Sequence, residues 1–430
     1  MAISQTTIRT ALDSAALDSL TDSNGHTALE LLQVIDAAKT FYRNTLTFQN
    51  FSFYNYYDSS GDLPSYIDSE GYLVETPDSS LEGLLTVTSN LTERENSLWL
   101  HTGDRWRELI NLDSAISLNT QGNVYAYTTG GTDFPGTRTN DIDRWPFASE
   151  GVATRVGSLT SALDYSTGTQ SKTNSYNAGG NDGSIVSTIQ KFPFSNDAAS
   201  TLVDELLEVR QKGSGQSAEF FGYMSGGEPV PSPTNNPFEP NYVQKYSFVN
   251  DEKASFVQYL DVNVSTPAGV TSTLNGYAIG GIGGGPGPSG GGSNVIQRFS
   301  FSNDEGDIIS IGNLTISGDG AAGLSSTTKG YVASRRGYGP GTPPFMNNVI
   351  DEFPFASEST VTDIGDQFIA KVWSAGHSYD DQFGYTSGGT NIGQAALIVV
   401  DKFPFTSPFA TSVQAGDLST AKVGVAGTQF

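Results

Sequence analysis

The chain of 430 residues has no cysteine, and that absence removes disulfide frameworks, cysteine–zinc sites and cysteine nucleophiles together. It fits folding in a reducing compartment without requiring one. Positive charge is also scarce: 22 Lys and Arg stand against 46 Asp and Glu, a net charge of −24. Such a surface repels nucleic acid, whose binding depends on Lys and Arg displacing condensed counterions. It favours solubility at high salt, where self-repulsion is screened. Histidine occurs only at His26, His101 and His377, in three unrelated contexts, so the sequence clusters no zinc ligands and no Ser-His-Asp triad. There is no long apolar run, and the polar Met1–Asp13 stretch does not read as a secretory signal. The expectations are no membrane insertion, no nucleic-acid partner, no cofactor and no metal, with release by lysis if the protein acts outside a cell. Gly285 to Gly290 matches G-x-G-x-x-G, but it carries prolines and opens no helix, so it reads as a loop.

Glycine is abundant, at 49 residues, and much of it sits in a repeat. One element ends in a glycine pair: Tyr125 to Gly130-Gly131, Tyr176 to Gly179-Gly180, and Gly-Tyr-x-x-Gly-Gly beginning at Gly222, Gly276 and Gly384. The copy at Gly330-Tyr331 carries Ser334-Arg335 instead of the pair. A second element follows each, an Ile or Val and then two aromatics: Trp145 and Phe147, Phe192 and Phe194, Tyr246 and Phe248, Phe299 and Phe301, Phe353 and Phe355, Phe403 and Phe405. Copies recur about every 50 residues, the length of one propeller blade.

Each copy reads as four short strands, a to d. Strand b carries the Tyr and ends at the glycines, where the backbone needs positive φ. Strand c carries the aromatics, which point to one face because they are two residues apart. Strand d is the alternating stretch typified by Ala153–Leu159. Strand a is a small-residue stretch around a central glycine: Gly168, Gly215, Gly269, Gly323 and Gly376. The first copy lacks one, and Lys422 to Gln429 supplies a matching stretch around Gly424 and Gly427. Residues near 422–430 are therefore predicted to pair with Val124–Thr128 and close the ring, leaving no sheet edge open.

This repeat resembles kelch-type β-propeller repeats over about Thr120 to Phe430. It is closest to the glycine- and serine-rich variety of tail and fibre proteins of marine bacteriophages. It departs from the kelch pattern in using mostly Phe in strand c, in lacking the downstream Trp, and in the Arg335-Arg336 copy. The resemblance implies a mainly β fold: a six-bladed propeller over residues 116–430 behind a small α+β domain over residues 1–115. In that N-terminal region Thr27–Glu30 forms a capping box and predicts a helix to about Tyr42. Ser97–His101 and Trp106–Leu109 flank Thr-Gly-Asp as a predicted hairpin. The stretch Leu63–Leu109 is similar to a β-module of phage tail proteins.

Binding is expected on the b–c loops, with Phe238, Tyr242, Arg335, Arg336, Tyr338 and Phe345 as the candidate residues. Arg335 and Arg336 are unusual in so acidic a chain and could meet a carboxylate or sugar acid. Turns such as Ser195-Asn196-Asp197 read as Asx turns or as calcium ligands. The resemblance implies a virion structural protein rather than an enzyme: a tail-fibre or tail-tip protein, attached to other virion proteins through residues 1–115. It would form a homo-oligomer and touch a host-surface glycan or protein through the b–c loops. The alternatives are a capsid decoration or tail nozzle or adaptor protein, a carbohydrate-active propeller enzyme using two carboxylates, and a cellular kelch-type scaffold.

Overall fold

The computed structural model describes the backbone of residues 85–88, 97–101 and 106–111. It also describes residues 121–430 apart from 134–135, 197, 230–241, 251, 284–290, 303, 305, 339–343, 359–360, 392, 394 and 407–410. The chain divides into Met1–Ser117 and Leu118–Phe430. Regular structure among the described residues is all β, in small antiparallel sheets, with no helix. The helix expected over residues 27–42 lies outside the described residues.

In Met1–Ser117, strands Leu85–Thr88, Ser97–His101 and Trp106–Asn111 form one antiparallel sheet. The last two pair as the expected hairpin, with His101 opposite Trp106 and Trp99 opposite Glu108.

Leu118–Phe430 contains six sheets of strands a to d. The first has a at Ala426–Gln429, b at Tyr125–Thr129, c at Asp141–Pro146 and d at Thr154–Ser158. The second runs Thr167–Gln170, Asn174–Ala178, Thr188–Pro193, Thr201–Glu205. The third runs Ser214–Ser217, Phe221–Ser225, Tyr242–Ser247, Ser255–Tyr259. The fourth runs Ala268–Thr271, Asn275–Ile279, Val295–Ser300, Ile309–Asn313. The fifth runs Ala322–Ser325, Lys329–Ala333, Val349–Pro354, Thr362–Asp366. The sixth runs Ala375–Tyr379, Phe383–Ser387, Leu397–Pro404, Val413–Lys422, and Gly151–Val152 adds a parallel strand to its edge. Ala426–Gln429 pairs antiparallel with Ala126–Thr129, so the last strand completes the first sheet.

The repeat residues build the contacts between sheets. The strand b tyrosines Tyr127, Tyr176, Tyr223, Tyr277, Tyr331 and Tyr385 are fully buried. Each packs on the strand c aromatic pair of the next sheet, and Tyr385 returns to the first through Trp145 at 5.0 Å and Phe147 at 5.3 Å. Offset and edge-on rings of this kind add to their area burial. The glycine before four of these tyrosines admits the strand c ring of its own sheet: a β-carbon on Gly276 would lie 2.3 Å from Phe299.

Strand a positions join in cycles that return to their start. A β-carbon on Gly215 would lie 2.1 Å from the Gly168 carbonyl oxygen, and the same approach links Gly269 to Gly215, Gly323 to Gly269, Gly376 to Gly323, Gly427 to Gly376 and Gly168 to Gly427. Only glycine permits backbones this close. Two residues further on, each backbone N–H donates to a side-chain oxygen of the neighbouring sheet. Gln170 donates to Ser217, Ser217 to Thr271, Thr271 to Ser325, Ser325 to Ser378, Ser378 to Gln429 and Gln429 to Gln170. Ser, Thr and Gln occupy these positions because innermost amides have no further strand to pair with and must be satisfied.

His377 lies at the seam between the sixth and first sheets. Its ring contacts Ser387 Oγ at 2.9 Å and the Thr428 carbonyl at 3.2 Å. Burial pushes its pKa down to about 4 from an ordinary 6.5. Folded His377 thus stays neutral while the unfolded chain takes up a proton, and stability is lost as pH falls from about 6.5 to about 4. The loss attributable to this group is about 3 kcal/mol. Denaturant melts across that range should show the slope, and His377→Gln should flatten it.

Candidate functional site

At the start of each strand a, a second cycle runs entirely through the backbone. Tyr165 N–H donates to Gly424, Lys212 to Tyr165, Thr266 to Lys212, Gly320 to Thr266, Trp373 to Gly320 and Gly424 to Trp373, over 2.8 to 3.1 Å. All six residues are left-handed, with φ of 53°, 57°, 55°, 64°, 57° and 67° in the order Tyr165, Lys212, Thr266, Gly320, Trp373, Gly424. This conformation turns the incoming chain so that its N–H and C=O point around the cycle. Two of the six positions are glycine, which adopts it freely. At the other four it costs about 1 kcal/mol or more each.

The residues of this cycle, with the strand a glycines beyond them, line a cavity of about 150 Å³. Tyr165 and Trp373 flank Gly424, and with no side chain between them their rings meet edge to face at 5.8 Å and 88°. Lys212 Nζ stands 5.3 Å from the Tyr165 ring centre, and the Arg336 guanidinium 5.4 Å from that of Trp373. Each nearby cation has a carboxylate. Lys212 donates to Glu228 at 2.9 Å, Arg336 grips Asp319 through two bonds at 2.9 and 2.8 Å, and Arg138 donates to Asp164 at 3.0 Å. Burial, with Asp164 and Glu228, pushes the Tyr165 hydroxyl up to about 12, so it is a neutral donor.

The b–c connections frame this face, as expected from the strand order. In each sheet a b–c residue pairs with the connection that enters strand a: Thr132 with Val423, Asn181 with Asp164, Glu228 with Gln211, Ile282 with Ser265, Arg336 with Asp319, Thr390 with Val372.

Of the residues predicted on the loops, Arg336 and Tyr338 come together: the Arg336 guanidinium lies 5.6 Å from the Tyr338 ring centre. Phe345 is exposed and lies against Gly337 on the paired strand Phe345–Asn347. Phe238 lies outside the described residues. Tyr242 is buried, under the Arg210 guanidinium at 4.4 Å, and donates to Glu208.

Arg335 requires a correction. It is not a loop cation but a fully buried one, bonded to the equally buried Asp351 at 2.7 Å. Burial lowers its pKa against the pull of Asp351. Its place in the repeat explains it. The residue after the Ile or Val of strand c is Gln190, Gln244 or Gln297 in three sheets, and Asp143, Asp351 or Asp401 in three. Asp143 is matched by Lys422 at 3.0 Å and Asp401 by Lys371 at 3.1 Å, both from two residues before the left-handed position. In the fifth sheet that place is Gly318, and the Arg335 side chain lies over it instead. The lost glycine pair thus supplies a buried countercharge, while Ser334 takes the left-handed turn at φ 59°.

The left-handed cycle, and with it Tyr165, Lys212 and Trp373, escaped the reading of the sequence. Glycine marks only two of its six positions, and the bonds that define it join residues about 50 apart or, between Tyr165 and Gly424, opposite ends of the repeat.

No family model matches the chain, and no curated protein matches it. Its fold is similar to a solved structure described as "Structure of YjhT", with a TM-score of 0.52 and 10% identity. The match covers 69% of this chain and 99% of that one.

Proposed function

We propose that Leu118–Phe430 is a kelch-like six-bladed β-propeller and that the chain is a structural protein of a tailed-phage virion. In this reading it is a tail-fibre or tail-tip protein rather than an enzyme. Residues 1–115 attach it to other virion proteins as a homo-oligomer, and the face framed by the b–c connections meets the host surface. The observation that carries the reading is the set of strand a cycles. Six sheets joined through glycines, backbone amides and Ser, Thr and Gln side chains make a rigid scaffold, and the cavity where its strands a begin is lined by Tyr165 and Trp373, with three ion pairs nearby. Recognition residues held on a rigid frame lose little freedom on binding. The repeat's likeness to phage tail proteins supplies the setting.

The test is direct. Purified particles digested and analysed by mass spectrometry should contain the protein, and Met1–Leu112 fused to a reporter should carry that reporter into particles. Absence of the protein from purified particles overturns the virion reading.

A further inference from the structure

We infer that the mouth of the six-sheet ring binds a single neutral sugar ring, seated against Tyr165 and Trp373 and hydrogen-bonded by Lys212 and the other polar groups that line the cavity. The inference deepens the host-surface reading by naming the ligand, and it rests on that reading only for the source of the sugar.

Three observations lead there. The first is the retention of bulky side chains where glycine would relieve strain. Gly320 and Gly424 show that the backbone cycle closes without a side chain, yet Tyr165 and Trp373 hold left-handed φ of 53° and 57°. Strain kept in this way marks residues whose side chains are used. The second is a polar wall. Ser166, Thr167, Lys212, Ser214, Thr266 and Ser374 line the cavity together with strand a backbone. A lining of this kind suits a guest with hydroxyls of its own.

The third is charge, and it selects the guest. An acidic ligand would need a free cation, but Lys212, Arg336 and Arg138 are committed to Glu228, Asp319 and Asp164. Taking Arg336 would strip Asp319, whose side chain is fully buried, of its two-bond partner. A cationic ligand would meet Lys212 and Arg336 already placed against the two rings. What remains is a neutral molecule with an apolar face for the aromatics and hydroxyls for the polar lining. The cavity of about 150 Å³ has room for one ring-sized group. A pyranose meets each requirement.

Saturation-transfer NMR on the full chain tests this with named probes. The neutral ones are methyl glucoside, methyl galactoside, methyl mannoside and N-acetylglucosamine; the acidic one is glucuronate and the cationic one choline. At least one neutral probe should receive saturation on its ring protons, and glucuronate and choline should not. Trp373→Gly and Tyr165→Gly should each weaken binding about tenfold or more, the loss expected from one aromatic contact. Both should still melt cooperatively, because glycine already serves at this position in two sheets. Trp373→Phe, which keeps a ring face, should retain binding. The inference is overturned if no neutral probe binds, if glucuronate or choline binds better, or if both glycine variants bind like the parent. Sugar binding by a protein that particles lack would leave the ligand standing and remove the virion reading. Particles carrying a chain that ignores every neutral probe would do the reverse.

Discussion

Removing residues 426–430 should lower the thermal midpoint by roughly 10 °C or more, or abolish the cooperative transition of Leu118–Phe430. The strand is short, but its bonds have no substitute. It supplies the ladder to Ala126–Thr129. The Phe430 carbonyl accepts from Val124 and Tyr125, and its amide donates back to Tyr125. Gln429 closes the side-chain cycle in both directions, accepting from Ser378 and donating to Gln170. At about 1 kcal/mol per intramolecular hydrogen bond, these losses exceed about 5 kcal/mol. That is comparable with the whole stability of a typical domain, about 5–15 kcal/mol. The cut also uncovers the inner edge of strand b in the first sheet, leaving it to pair with other chains. Differential scanning calorimetry of the two chains measures the effect, with light scattering as the check on aggregation.

The second large effect is Lys371→Leu, expected to cost about 3–5 kcal/mol by leaving a buried carboxylate without its countercharge. Lys371 and Asp401 are both fully buried, 3.1 Å apart. The ammonium also donates to the Thr386 carbonyl at 3.0 Å. Burial raises the Asp401 carboxyl pKa and lowers that of Lys371, so neither charge is comfortable without the other. The repeat contains its own remedy. In the second sheet the same two places hold Leu163 and Gln190, and in the fourth Val264 and Gln297. Those glutamines accept from backbone amides at Thr160 and Val262. Lys371→Leu with Asp401→Gln should therefore recover stability to within about 1 kcal/mol of the parent. Urea denaturation of parent, single and double variants reads this as a coupling energy. A double variant no better than the single would show that the sheets are not interchangeable at these places.

Much of the strand plan was legible because the repeat is local. The Gly-Tyr and Phe-x-Phe elements mark strands b and c by spacing alone, and the small stretch around Gly427 pointed to the strand that pairs with residues 126–129. What the repeat could not show is what lies across the sheets. Arg335 and Arg336 are neighbours in sequence with one charge, yet one neutralises buried Asp351 and the other holds Asp319 at the mouth. Alternation along a strand separates them, and a loop assignment hides alternation. Gln170, Ser217, Thr271, Ser325, Ser378 and Gln429 align once the copies are set on their glycines. Their shared capacity to accept a hydrogen bond is the signal that could have revealed the side-chain cycle. Tyr165 and Trp373 differ from the Gly320 and Gly424 that replace them, so no residue type marks the mouth.

The central claim is that the six sheets close through the last strand. Hydrogen–deuterium exchange of the intact chain, read by mass spectrometry on peptides covering residues 121–131 and 422–430, tests it most directly. Closure predicts that the amides of 426–429 exchange as slowly as those of the five internal strands a. Fast exchange over 422–430 beside slow exchange at 167–170 and 214–217 would contradict it.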